Sequence, residues 1–290
     1  MFKGSIVAIV TPFKSGAVDE MKLRELVDFQ IENGTDAIVA CGTTGESSTL
    51  DNEEHLNVIK IVFDQAKGRV PVIAGTGSNS TAEAINLTRE AKEMGVAGVL
   101  LVTPYYNKPT QEGLYRHYTA IADAVEIPQI LYNVPGRTGV NLLPETVARL
   151  ASHRNIVAIK EATGSLQQAS EILALCGSQI DVFSGDDFIT FPMMACGAKG
   201  IISVLANIIP KEVGDLTDAF FAGDLETARQ LHLKTLKIGN AMFMESNPIP
   251  VKTALGLMGK CSDEVRLPLC PMSAANKEKL AAIMKEYKLV

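Results

Sequence analysis

Residues 128–164 read PQILYNVPGRTGVNLLPETVARLASHRNIVAIKEATG and place two short apolar runs on either side of a helical segment. The runs, 129–132 and 156–159, are almost wholly apolar, which is typical of strands buried on both faces of a parallel sheet. Pro144 stands where PETVARLA begins, at a position that suits a first helical turn. The stretch therefore predicts a strand, a helix and a second, parallel strand.

The same alternation is repeated along most of the chain. Asp19 can cap a helix that Asn33-Gly34 ends, and Thr81 opens another that Gly95 closes. An α/β fold of the (β/α)8 TIM-barrel type is predicted. A doubly wound open sheet is the alternative, although no GxGxxG follows the first strand. The predicted strands are 5–10, 37–40, 70–74, 98–102, 129–132, 156–159, 180–183 and 200–204.

After about residue 205 the strand pattern stops and only helical patterns follow. Gly223 is a natural joint, so we expect a barrel domain over 1–223 and a C-terminal helical domain over 224–290. The predicted helices are 207–222, 224–243, 250–258 and 276–287.

Composition argues against several classes of protein. The formal net charge is −6 and no basic block appears, so a nucleic-acid partner is not expected. The five cysteines and four histidines show no metal-ligand spacing, so neither a metal site nor a disulfide framework is expected. The first apolar run is too short for a signal peptide, and no stretch approaches the roughly 18 apolar residues of a membrane span. We expect a protein of the reducing cytoplasm.

Chemistry-bearing residues stand at the ends of the predicted strands, where a βα barrel carries its active site. Lys160 closes an apolar run. An amine must be neutral to attack a carbonyl, and apolar surroundings favour the neutral amine. A strand-end lysine that reaches solvent is the alternative.

The neighbouring strand ends supply hydroxyl and cationic groups. Tyr132 offers a phenol for proton transfer, or is simply a core tyrosine. Thr43 and Thr44 lie in a glycine-flanked turn that could hold a carboxylate on backbone N–H groups, or be only a tight βα turn. Arg137 could bind a second carboxylate, or be a solvated loop cation.

The sequence resembles the dihydrodipicolinate synthase family of the N-acetylneuraminate lyase superfamily nearly from end to end. Thr43-Thr44, the pair Tyr105-Tyr106 and Arg137 separate this family from the sialic-acid lyases. The resemblance rests on GSIVAIVTPF (4–13), GTTGES (42–47), PVIAGTG (71–77), TPYYNKPTQEGLY (103–115), ILYNVPGRTG (130–139), IKEATG (159–164), SGDD (184–187) and NPIPVK (247–252).

The resemblance implies a role for each matching residue. Lys160 would form the imine with pyruvate, and Tyr132 would act as acid and base. Thr43 would relay protons, together with Tyr106 from a neighbouring subunit. The remaining implied binding residues are Thr43 and Thr44 for the pyruvate carboxylate, Arg137 for the carboxylate of the aldehyde, and Gly185 and Ile202 as pocket lining.

The implied activity is that of a class I aldolase-type lyase. It condenses pyruvate with L-aspartate 4-semialdehyde in diaminopimelate and lysine biosynthesis, and it needs no cofactor because the imine is the electron sink. The implied assembly is a homotetramer built as a dimer of dimers. A lyase for another 2-keto acid and a sensor without turnover are the rival readings, although a sensor would have no need to keep both Lys160 and Tyr132.

Relatives that L-lysine inhibits suggest an allosteric site at a dimer interface. The matching side chains suit an amino acid, because they include a carboxylate, amide and hydroxyl groups. A set of surface residues at a helix start is the alternative. Asn52 replaces a histidine that some inhibited relatives carry. The implied lysine-site residues are Ser48, His55, Asn79, Glu83 and Tyr105.

Overall fold

The computed structural model describes residues 1–290. Its eight main strands follow one another around a closed parallel barrel in chain order, which confirms the predicted TIM barrel. A separate two-stranded hairpin joins Phe13–Lys14 to Ala17–Val18. The barrel strands are β1 (Gly4–Ala8), β2 (Ala37–Ala40), β3 (Val72–Gly75), β4 (Gly98–Val102), β5 (Gln129–Asn133), β6 (Ile156–Glu161), β7 (Asp181–Ser184) and β8 (Gly200–Ser203).

Strand register decides which side chains meet at the strand ends. Tyr132 on β5 pairs with Lys160 on β6, and Asn133 pairs with Glu161 at the next position. Successive side chains on a strand point to opposite faces of the sheet. The pair Tyr132 and Lys160 therefore projects to one face, and the pair Asn133 and Glu161 projects to the other.

Helices connect the strands and continue beyond the last one. Asp19 accepts a hydrogen bond from the N–H of Lys22 at 3.1 Å, which confirms it as the N-cap of the first helix. The helices are α1 (Glu20–Glu32), α2 (Asn52–Ala66), α3 (Thr81–Met94), α4 (Gln111–Ala124), α5 (Pro135–Thr138), α6 (Pro144–Leu150), α7 (Leu166–Cys176), α8 (Thr190–Cys196), α9 (Pro210–Phe221), α10 (Leu225–Ala241), α11 (Ile249–Leu257) and α12 (Ala274–Glu286).

The helix predicted from residue 207 begins instead at Pro210, after a 3-10 turn over Leu205–Asn207. Proline suits a first helical position, because its missing N–H would have no partner within the helix there. The short helix α5 was not predicted. It occupies the loop that carries Arg137, so this side chain stands on an ordered turn.

Internal contacts divide the chain into two compact units. Unit 1 comprises Met1–Lys3 and Val72–Ile202, and unit 2 comprises Gly4–Pro71 and Ser203–Val290. Unit 1 therefore contains β3 to β7 and α3 to α8, and unit 2 contains β1, β2 and the C-terminal helices. The predicted division of 1–223 from 224–290 follows the order of elements along the chain and stays a prediction. None of the helices has the length and apolar character needed to cross a membrane.

Candidate active site

Lys160 and Tyr132 form the centre of the candidate site in unit 1. Their exposed fractions are only 4% and 6%. The Nζ atom of Lys160 lies 4.3 Å from the centroid of the Tyr132 ring. The two side chains meet because they are register partners on adjacent strands. A buried amine beside a phenol is the arrangement that imine chemistry with proton transfer requires.

A buried polar network lies directly after these two residues, on the opposite face of the strands. Asn133 donates through Nδ2 to Oε2 of Glu161 at 3.0 Å and to Oδ1 of Asn141 at 2.8 Å. Glu161 also accepts from the N–H of Thr163 at 2.9 Å and from Gln168 at 3.3 Å. Burial raises the pKa of Glu161, and the hydrogen bonds from these partners oppose that rise.

This network was not predicted from the sequence. The sequence nevertheless contained a signal for it. Asn133 directly follows Tyr132, and Glu161 directly follows Lys160, so that an amide and a carboxylate stand at the ends of two otherwise apolar strands. Such groups are stable in a barrel wall only when they are hydrogen-bonded. The network ties the end of β5 to the end of β6.

Gly185 allows the chain after β7 to pass close to β6. Its N–H donates to the carbonyl of Glu161 at 2.7 Å. A Cβ atom at this position would lie 2.5 Å from the Cβ of Ala162. Glycine is therefore required by close approach. Ile202, the other predicted lining residue, is fully buried on β8.

Asp186 adds a second carboxyl group near the lysine. Burial raises its pKa to about 6, while the positive charge of Lys160 acts in the opposite direction. In the sequence, this residue stood out only as part of SGDD (184–187), one of the motifs that carry the family resemblance. The charge of Asp186 therefore interacts with that of Lys160, the candidate nucleophile.

The loop after β4 presents an aromatic side chain to solvent. Tyr106 is 89% exposed and has a left-handed backbone with φ 72°. Asn79 donates to the carbonyl of Tyr105 at 3.1 Å, and Asn107 donates to the carbonyl of Asn79 at 2.9 Å. These bonds support a conformation that is unfavourable for a non-glycine residue. Tyr106 is thus held outward from its own chain.

Arg137 lies on α5 and is exposed, as a residue at a site mouth would be. Thr138 anchors the same turn, because its hydroxyl donates to the carbonyl of Val140 at 2.9 Å. The guanidinium is therefore carried by a short, internally bonded element.

Thr43 and Thr44 lie in unit 2, in a tight turn after β2. The N–H of Gly45 donates to the carbonyl of Gly42, and the N–H of Glu46 donates to that of Thr43, both at 3.1 Å. Thr44 is buried, and its hydroxyl accepts from Asn247 at 3.0 Å. The predicted glycine-flanked turn is present, and its partner Asn247 was not anticipated.

The residues expected to bind lysine divide between the two units. In unit 1, Asn79 contacts Tyr105 as described, and Glu83 accepts from the hydroxyl of Ser78 at 2.5 Å. In unit 2, Ser48 is exposed on a 3-10 turn and His55 is buried on α2. The structure thus brings Asn79 and Tyr105 together.

Comparisons with known proteins find relatives that match the full length of the chain. The chain is 91% identical over 290 residues to the 4-hydroxy-tetrahydrodipicolinate synthase of Trichlorobacter lovleyi and 85% identical to that of Geobacter sulfurreducens, with 100% of each chain covered. A dihydrodipicolinate synthase structure from Acinetobacter baumannii, complexed with pyruvate, matches with a TM-score of 0.98 and 51% identity over 100% of both chains. A lysine-bound structure of the Cyanidioschyzon merolae enzyme matches with a TM-score of 0.96 and 41% identity, covering 100% of this chain and 99% of that one.

A family model covers almost the whole chain. The model described as the dihydrodipicolinate synthetase family matches residues 1–287. This match and the full-length relatives confirm the resemblance that the motifs predicted. The chain belongs to the dihydrodipicolinate synthetase family.

Proposed function

We propose that the protein is a lyase that condenses pyruvate with L-aspartate 4-semialdehyde through an imine on Lys160. The observation that carries this proposal is the buried amine of Lys160 against the ring of Tyr132. Nearly identical relatives bear the name of the synthase, and a relative of the same fold binds pyruvate.

The first half of the reaction prepares a carbon nucleophile. The neutral amine of Lys160 adds to the C2 carbonyl of pyruvate, and the carbinolamine loses water to give the imine. Tyr132 donates the proton that allows this oxygen to leave as water. The imine withdraws electrons from the methyl group, so that a methyl proton is lost and an enamine forms.

The second half forms the carbon–carbon bond. The enamine carbon attacks the aldehyde carbon of L-aspartate 4-semialdehyde, and the aldehyde oxygen takes up a proton to become a hydroxyl. The amino group of the second substrate then adds to the imine carbon, and the amine of Lys160 leaves as the ring closes. No redox change occurs, and Lys160 returns to its starting state.

The other predicted residues complete the proposal. Thr43 and Tyr106 relay protons to and from Tyr132, with Tyr106 supplied by a neighbouring subunit. The high exposure of the Tyr106 side chain and its left-handed backbone support its donation to a partner. Gly185 and Ile202 line the pocket. The carboxylate of pyruvate is held by Thr43 and Thr44, and that of the semialdehyde by Arg137.

The proposal extends to assembly and regulation. The proposed assembly is a homotetramer, a dimer of dimers, in which each site receives Tyr106 from a neighbouring subunit. L-lysine inhibits it through Ser48, His55, Asn79, Glu83 and Tyr105, and the lysine-bound algal relative supports this regulation. A cytoplasmic location suits the five free cysteines, since thiols stay reduced there.

Borohydride trapping tests the central step. Reduction in the presence of pyruvate should add one pyruvate-derived group to the peptide that contains Lys160, as measured by peptide mass mapping. Lys160→Ala should abolish the labelling while the protein stays folded. A label on another lysine would overturn the assignment of Lys160. Turnover of pyruvate with N-acetylmannosamine instead of the semialdehyde would overturn the proposed substrate.

A further inference from the structure

A fully buried ion pair joins the turn after β2, which contains Thr43 and Thr44, to α11. The Nζ atom of Lys252 lies 2.6 Å from Oε1 of Glu46, and the two side chains are 0% and 1% exposed. Burial of two charges is costly, and it is tolerated only when the pair is well placed and further hydrogen bonds satisfy the remaining atoms. The fold therefore offsets the cost of burying Lys252 and Glu46 only because the two side chains are in close contact.

Glu46 directly follows the turn Gly42–Gly45, and its backbone is left-handed, with φ 54° and ψ 36°. A residue with a Cβ atom adopts this conformation only when its surroundings hold it there. Both oxygens of the Glu46 carboxylate are engaged, because the N–H of Arg266 donates to Oε2 at 3.1 Å. Lys252 and Arg266 thus fix the side chain of a strained residue.

A second contact holds the turn from the same segment of chain. Asn247 donates from Nδ2 to the hydroxyl of Thr44 at 3.0 Å, and this hydrogen bond is buried. Asn247 precedes α11, and Lys252 lies on it. The motif NPIPVK, which was noted only for its resemblance, therefore holds Thr44 by one contact and Glu46 by another.

The surroundings of Lys252 leave it little freedom. Its Nζ atom lies 4.1 Å from the centroid of the Phe13 ring, and the guanidinium carbon of Arg266 lies 4.4 Å from that same centroid. Arg266 is held by Glu54 through two contacts of 2.7 Å. Burial lowers the pKa of Lys252, and the charge of Glu46 opposes that change. The cation is enclosed and directed at one carboxylate.

We propose that Lys252 and Asn247 are positioning residues for pyruvate binding, because they hold Glu46 and Thr44 in the conformation in which Thr43 and Thr44 receive the pyruvate carboxylate. This inference rests on the proposed function, since it concerns the pyruvate carboxylate. Neither residue touches the reacting carbon. Their loss should weaken the binding of pyruvate more than it slows the steps on Lys160.

Three variants test the inference: Lys252→Met, Asn247→Ala and the double variant Lys252→Met with Glu46→Gln. The measurements are KM for each substrate, kcat, melting temperature and the pyruvate concentration that gives half-maximal borohydride trapping. Lys260→Met serves as the matched control, because the Nζ atom of Lys260 lies 3.5 Å from the ring centroid of Phe29, a residue of α1 outside the turn.

Each variant should raise KM for pyruvate by about tenfold, as expected for the loss of a contact made equally in the ground and transition states. KM for the semialdehyde and kcat should change by less than about threefold. The double variant should recover the melting temperature that Lys252→Met loses, since it leaves no uncompensated buried charge. Its pyruvate KM should stay high, because the tether is still absent.

The inference is overturned if KM for pyruvate rises only in those variants whose melting temperature falls. Lys252 and Asn247 would then have only a structural role. Unchanged pyruvate binding in Asn247→Ala and in the double variant would also overturn it. Failure of the proposed function looks different, because the unmodified enzyme would then trap no pyruvate on Lys160.

Discussion

Tyr132 is the register partner of Lys160, and the lysine Nζ atom lies 4.3 Å from the centroid of the tyrosine ring. The two residues are far apart in sequence, but parallel pairing places them at the same level of the barrel wall. The ring lies against the amine, and the proposed mechanism assigns proton transfer to the hydroxyl that the ring carries. We therefore expect that loss of the Tyr132 hydroxyl alone and loss of the whole ring have different effects on activity.

The proposed relay predicts non-additive losses at Tyr132 and Thr43. Tyr132→Phe keeps the ring beside Lys160 but removes the hydroxyl, and it should lower kcat by about 100-fold to 10,000-fold. Thr43→Val alone should also slow turnover. The double variant should be little slower than the slower single variant, because residues that act as a unit are non-additive. Steady-state kinetics measure this, and losses that multiply would contradict the relay.

The exposed Tyr106 predicts complementation between inactive subunits. Tyr106→Phe subunits keep Lys160, whereas Lys160→Ala subunits keep Tyr106. Hybrids of the two should regain activity, because some sites then combine an intact lysine with a partner's tyrosine. The measurement is specific activity of hybrids verified by native mass spectrometry, with each parent as control. Verified hybrids with no activity would show that each site is built within one chain.

The network after Lys160 predicts that Asn133→Asp is destabilising in a pH-dependent way. An aspartate would present an oxygen to Glu161 where the amide now donates at 3.0 Å. We expect a loss of at least about 2 kcal/mol of unfolding free energy at pH 8, since like charges and a lost hydrogen bond both act. Protonation of either carboxyl group relieves the repulsion, so stability should recover as pH falls.

Urea unfolding at pH 8 and pH 5 measures the effect of Asn133→Asp. Asn86→Asp, on the exposed surface of α3, is the matched control and should change stability by less than about 0.5 kcal/mol. Addition of Glu161→Gln to Asn133→Asp should restore most of the stability, because an amide again faces a carboxylate. An equal loss at both pH values would contradict the assigned repulsion.

His117 predicts an acid-sensitive contribution to stability. It is buried on α4, its Nδ1 atom pairs with the Thr81 hydroxyl at 2.9 Å, and burial lowers its pKa to about 4 from an ordinary value of 6.5. The folded state therefore favours the neutral ring. The stability from this preference is fully present above pH 6.5 and is lost as pH falls through about 4.

The variant His117→Gln removes this titration. The unfolding free energy of the unmodified protein minus that of His117→Gln should be constant above pH 7. It should fall by up to about 3 kcal/mol between pH 6.5 and 4, since each pKa unit corresponds to about 1.4 kcal/mol. Urea unfolding at several pH values measures the difference, and a pH-independent difference would refute the assignment to His117.

The proposed lysine site predicts that Glu83→Ala weakens inhibition. Glu83 carries the carboxylate expected to pair with an ammonium group of lysine. Its removal should raise the lysine concentration for half inhibition by at least about tenfold, which is the usual scale for one charged hydrogen bond. Glu90→Ala, exposed on the same helix, is the control. An unmodified enzyme that saturating lysine does not slow would remove the regulatory proposal and leave the catalytic one.

The barrel and the residues at its strand ends could be predicted from the sequence alone. Fully buried parallel strands leave continuous apolar runs, and the residue that ends each run is a local property of the chain. Lys160, Tyr132, Thr43 and Arg137 could be singled out for this reason. The motifs around them were then sufficient to indicate the family.

Which of these residues meet, and which contacts hold them, depends on the three-dimensional fold. Strand register, which places Tyr132 opposite Lys160, depends on pairing between separate segments rather than on either segment alone. Glu46 and Lys252 are 206 positions apart, and no periodic pattern relates them. A buried charge must find its partner in space, because unpaired it would be too costly, and the fold alone determines where that partner stands.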